Sequence, residues 1–132
     1  MAGRPNYAGT VDSSPPRDVQ ALATLLGVSG LLHFVATRRY EAIVPRRLTA
    51  PRGLVYASGA LELACAAGLT YPPTRRPAGL ASLALLIAVY PANVQMTADV
   101  FKRRSAWAKA VAVVRLPMQL PMMRTAYRAW RH

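Results

Sequence analysis

Polar residues that could do chemistry stand inside long apolar runs of this chain. His33, Glu62 and Arg115 can ionise, and Asn93, Gln95 and Gln119 carry amides. An imidazole, a carboxyl and a guanidinium in one apolar setting can donate a proton, relay it, or stabilise a developing negative charge. An ionisable side chain inside a membrane-length run is costly and as a rule faces a protein interior or a water-filled cavity. Ser58 stands four residues before Glu62, so on a helix the two share a face.

The elements that must position these groups are four apolar segments, near 19–37, 53–71, 78–98 and 105–123. Each has about 19–21 residues, the length a helix needs to cross a bilayer core of about 30 Å. The runs are too long for strands, and Ala, Leu and Gly dominate over β-branched alternation. The expected fold is all-α: an integral membrane four-helix bundle of four transmembrane helices, with an interfacial segment between the first two. Residues 1–18, rich in Pro, Gly, Ser and Asp, are expected to form a flexible tail. Residues 19–123 form the bundle, and residues 124–132 a basic interfacial end with Tyr127 and Trp130 as anchors. The connector RRYEAIVPRRLTAPR (38–52), with Ile43, Val44 and Leu48 among its arginines, is expected to lie along the interface. YPPTRRP (71–77) reads as a tight turn, and residues 99–104 as a short basic loop.

Composition agrees with this division. The 132 residues carry a formal charge of +12, yet 53% are hydrophobic. A basic disordered tail would be poor in apolar residues. Every basic residue but Arg115 falls in a tail, a connector or near a span end, so the charge marks lipid contact and not a groove-reading nucleic-acid surface. The basic residues divide almost evenly between the two faces, so orientation is not specified, but four spans put both termini on one side. Cys65 is the single cysteine, which excludes an internal dithiol, a disulfide within the chain and a cysteine zinc site. No metal site is expected.

Depth along the spans groups the polar residues. Glu62 lies at the centre of the second run and Arg115 one residue past the centre of the fourth, on parallel helices, so they are expected to pair. The same pair serves equally well as a structural lock on helix register. His33 and Asn93 each lie five residues past the centres of the first and third runs, roughly 7 Å from the midplane. With Ser58 they would form one polar layer, Glu62 and Arg115 the next, and Gln119 would point the same way from the opposite half. Pro91, Pro117 and Pro121 would free backbone carbonyls and open a pocket between bent helices. The small residues Gly27, Ser29 and Gly30, and likewise Ser58, Gly59 and Ala60, read as close helix contacts.

The stretches LLHF (31–34), IVP (43–45), LVYASGALEL (54–63), TRRPAGLASLALLIAVYPANVQM (74–96) and RLPMQLPM (115–122) resemble, in order and spacing, the DoxX-like family of small four-helix membrane proteins. The resemblance implies a membrane bundle whose recurring polar positions are His33, Glu62, Asn93, Arg115 and Gln119. The family's name comes from an association with quinone-linked sulfur oxidation, but membership does not supply a substrate; the expected setting is the inner (cytoplasmic) membrane of a bacterium. No cofactor motif is evident; quinone or lipid is the candidate ligand. The first functional expectation is a non-catalytic accessory subunit of a larger membrane redox or transport complex, with membrane lipid and other membrane subunits as partners and no nucleic acid. The second is a quinone- or lipid-binding oxidoreductase component, in which His33 donates, Glu62 relays and Arg115 stabilises negative charge. Proton-transfer catalysis on a lipid by His33 and Glu62 comes last.

Overall fold

The computed structural model describes residues 13–41, 44, 48–102 and 106–132. The elements are α1 Arg17–Val35, α2 Thr37–Glu41, α3 Pro51–Thr70, α4 Arg75–Phe101 and α5 Ala106–Arg131, with a 3-10 turn at Pro72–Thr74. No strand occurs among the described residues, as expected of an all-α chain.

Local chemistry sets the boundaries. Asp18 sits in the first turn of α1, where the helix dipole favours an acid. Pro51 opens α3, where its missing N–H costs nothing. The last-turn carbonyls of α3 are taken up from the following turn: the Thr74 hydroxyl donates to Gly68 O at 2.9 Å, and Arg75 Nε to Leu69 O at 3.1 Å.

The long helices pack as two tight pairs, α1 with α3 and α4 with α5, joined through α3 and α4. Small residues allow the approach. A Cβ on Gly59 would lie 2.7 Å from the His33 Cβ and 3.0 Å from Gly30 O. A Cβ on Gly79 would lie 2.6 Å from the backbone nitrogen of Trp130. The apolar core gathers at the end that carries the termini: Val19, Leu22, Ala23, Leu26, Cys65, Leu69, Ala78, Leu86, Ala126 and Ala129. Outward faces stay apolar too, with Val28, Leu31, Leu61, Ile87 and Val114 more than half or about half exposed. Helices apolar on both faces suit a nonpolar surround.

Among the described residues, three stretches are long and apolar enough to cross a membrane: Arg17–Val35, Pro51–Thr70 and Pro72–Phe101. Four were expected. The fourth helix, α5, is 26 residues long, but Lys109, Arg115 and Gln119, with Pro117 and Pro121, dilute its apolar run, and Arg124, Arg128 and Arg131 fill its last turns. The basic end 124–132, expected as an interfacial helix end, is helical to Arg131. Arg124 to Arg131 continue α5, and Thr125, Ala126 and Ala129 are buried. Tyr127 and Trp130 meet edge to face at 5.7 Å.

The remaining connectors are shorter than expected. α4 runs to Phe101, so Asp99 is helical and pairs with Lys102 at 3.7 Å. Arg52 belongs to α3 and reaches Glu41 of α2 at 2.7 Å. Residues 1–12 of the expected tail, and Ile43, Arg46, Arg47, Arg103 and Arg104 of the expected loops, lie outside the described residues.

Candidate functional site

The site residues are buried because they lie on the inward stripes of their helices. In α1 the buried positions are Val19, Leu22, Ala23, Leu26, Gly30 and His33, the spacing of one helix face. In α3 they are Val55, Gly59, Glu62, Cys65 and Leu69. His33 and Glu62 therefore occupy places that a core leucine would take, and each is 7% exposed.

His33 and Glu62 face each other across the α1–α3 contact. His33 Nδ1 lies 2.7 Å from the carbonyl oxygen of Ser29, one turn back. A carbonyl only accepts, so Nδ1 carries the proton and donates. The same nitrogen stands 3.3 Å from Glu62 Oε2. Its hydrogen is committed to Ser29, and Glu62 Oε2 is buried without a hydrogen-bond partner. Tyr40 of α2 stacks on the His33 ring, with centroids 3.9 Å apart and planes 28° from parallel.

A cavity of about 240 Å³ opens beside this pair. His33, Ser58, Glu62, Asn93 and Arg115 all line it, together with Tyr40 and an apolar wall that includes Leu54, Val55 and Val89. Behind it, Asn93 Nδ2 donates to Gln119 Oε1 at 2.8 Å, and Gln119 Nε2 donates to Leu86 O at 2.7 Å. Gln119 is thus buried and satisfied, and it ties α4 to α5 just below the cavity. Pro91 removes the N–H that would bond Ile87 O. The carbonyl that Gln119 takes up is the neighbouring one, of Leu86.

Two expected relations change. Glu62 has His33 as its ionic neighbour, not Arg115, and no Glu62–Arg115 ion pair occurs among the described residues. Register explains this. Gly68 of α3 packs against Ala78 of α4, and Leu86 of α4 meets Gln119 of α5. Counting along those contacts sets Glu62 level with Pro121, so Arg115 stands about 9 Å further along the axis. Its long side chain still lines the shared cavity. The second change is Gln119, which was expected in the half opposite Asn93. Because α5 extends to Arg131, its midpoint falls between Met118 and Gln119, within reach of Asn93.

Gln95 is exposed and takes no part. Tyr40 and the Ser29 carbonyl were not singled out from the sequence as site groups. Ser29 has a spacing signal, four residues before His33 on one helix face; Tyr40 stands on α2, beyond the break at Ala36, where helical spacing gives no signal.

The chain belongs to the family described as "Domain of unknown function (DUF8561)", which matches residues 22–130. No curated protein and no solved structure matches it. The matched stretch contains every residue of the cavity wall and runs through the last turns of α5.

Proposed function

We propose that this DUF8561 chain is an integral membrane protein whose bundle holds the polar head of an apolar molecule, of the quinone or lipid class, and works as a subunit of a larger membrane complex. The observation that carries the proposal is the cavity itself. Polar side chains from α1, α3, α4 and α5 converge on one 240 Å³ space with apolar walls, the form that small-molecule sites take. Apolar outward faces and three membrane-length helices support insertion. A relation to DoxX-like proteins, in the inner membrane of a bacterium, is part of the same proposal and rests on the stretches between Leu31 and Met122.

The side chains at the cavity supply hydrogen bonds, a proton site and charge. A quinone reaction also takes electrons, which a partner subunit would deliver; in that sense the subunit role and the ligand role are one proposal. The test is native mass spectrometry of protein extracted in mild detergent. An apolar ligand retained by the protein, within an assembly larger than the chain, is the expected result. A His33→Ala, Glu62→Gln double variant should release the ligand. Recovery of bare chain, or unchanged retention in the double variant, would overturn the proposal.

A further inference from the structure

Arginines at the two ends of the bundle are spent differently. At the end with the termini, Arg75 donates to Leu69 O and Ser13 O, Arg76 to Trp130 O, and Arg128 to Asp18 Oδ2. At the other end, Arg38, Arg39 and Arg52 line one open pocket of about 520 Å³, with Val35 and Tyr56 in its wall. It shares no lining residue with the cavity. The side chains of Arg38 and Arg39 are exposed and meet no acceptor among the described residues. Arg52 gives its Nε to Glu41 at 2.7 Å, which leaves the outer fork of the guanidinium for an anion. Nearby carbonyls are already taken: the Thr37 hydroxyl is shared between His33 O and Phe34 O, and Arg39 N donates to Ala36 O. Of the other described acids, Glu62 lines the cavity, Asp99 pairs with Lys102 and Asp18 with Arg128. Three permanent cations thus face one carboxylate, an excess that a bound anion balances.

We propose that this pocket holds the phosphate of one anionic phospholipid, with Arg38, Arg39 and Arg52 as its donors. The proposal rests on the reading of the chain as a membrane protein and is independent of what fills the cavity. Position favours a lipid over a free phosphate. α1 has 19 residues, a rise of about 28 Å, close to a bilayer core of about 30 Å. Arg38 and Arg39 follow its last turn, at the depth of head groups. Val35 lines the pocket, and Leu31 and Val28 continue from it at steps of four and three, each more than half exposed. They form a strip for an acyl chain on one helix face. Phe34 stacks on Tyr56 with centroids 5.4 Å apart, which joins α1 to α3 beside the head group. Unspent cations above an apolar strip match the two parts of a phospholipid.

The test titrates the full chain in mild detergent with phosphatidylglycerol, or with phosphatidylcholine of the same acyl chains, and reads the first bound lipid by native mass spectrometry. Both lipids carry the phosphate, but choline cancels its charge. Phosphatidylglycerol is expected to bind about ten-fold tighter. In the Arg38→Gln, Arg39→Gln double variant, which keeps the Arg52–Glu41 pair, its affinity should fall about 30-fold, from about five-fold per basic residue at a lipid surface. An Arg124→Gln, Arg131→Gln control removes the same charge at the other end and should leave the affinity unchanged. Equal binding of the two lipids by the wild-type chain, or an equal loss in the control, overturns the proposal and leaves the membrane reading standing. Displacement of the bound lipid by excess inorganic phosphate overturns the choice of a lipid and makes the pocket a site for free phosphate. A chain that stays in solution without detergent overturns the membrane reading and the proposal together. Circular dichroism checks the double variant. Were it not to fold, the single variants Arg38→Gln and Arg39→Gln should each lose about five-fold, and no loss in either overturns the proposal.

Discussion

The two ends of the bundle are built on the same inward stripes and filled in opposite ways. At the end with the termini, the stripe of α1 is Val19, Leu22, Ala23 and Leu26, met by Cys65 and Leu69 of α3, Ala78 of α4, and Ala126 and Ala129 of α5. At the other end the same stripes continue into His33, Glu62, Asn93 and Arg115, which enclose a cavity. Leu69 and Ala126 have no exposure at all. Close packing at one end fixes the helices, and polar substitution of the same face at the other leaves a space lined with groups that would stabilise the fold more if they were apolar. Stability and chemistry are thus separated along the helix axis, with Gln119 at the boundary.

The sharpest way to break this contrast is at the packed end. In Gly79→Leu the new Cβ would stand 2.6 Å from the Trp130 backbone nitrogen and 2.9 Å from Ala126 O, and backbone cannot give way cheaply. The expected cost is about 3 kcal/mol or more, seen as loss of a cooperative melt in detergent. A normal melt would mean that α4 and α5 are not held at this distance. At the boundary, Gln119→Ala leaves Asn93 Nδ2 and Leu86 O without their partners. About 1–3 kcal/mol should be lost, measured by denaturant titration.

The open end should respond in the other direction. Glu62→Leu removes a buried, incompletely bonded carboxyl group and replaces it with an apolar side chain, a change that is often neutral or stabilising. The melting midpoint should stay level or rise. A fall worth more than about 1 kcal/mol would make Glu62 a structural residue.

How much of this was legible in the sequence differs between the ends in the same way. The helices follow from run length, and the placing of polar residues on apolar stripes follows from spacing. Pairing did not follow. Centring each run in a bilayer sets Glu62 and Arg115 level, but register comes from where Gly68 and Gly79 let backbones approach, and no run length encodes that. In the last turns of α5 the sequence shows one face more plainly than the other. Arg124, Arg128 and Arg131 look like an interfacial terminus, while Thr125, Ala126 and Ala129, at three- and four-residue steps between them, form the face that packs on α4. Tyr40 was hidden because the chain leaves α1 at Ala36 before folding back over His33.

The smallest effect is expected where the packed end meets its surround. Asp18 and Arg128 join the first turn of α1 to the last turns of α5 at 2.8 Å, with 40% and 55% of their side chains exposed. Asp18 also sits where the dipole of α1 favours an acid, so the acid keeps a role without its partner. Exposed pairs of this kind contribute about 0–1 kcal/mol and are screened by salt. Arg128→Ala should therefore lower the melting midpoint slightly at low ionic strength and not at all in about 1 M salt. A loss above about 1 kcal/mol that persists in salt would mean that this end is clamped by charge and not by Leu69, Ala126 and their neighbours, and the division between a packed apolar end and a polar open end would no longer hold.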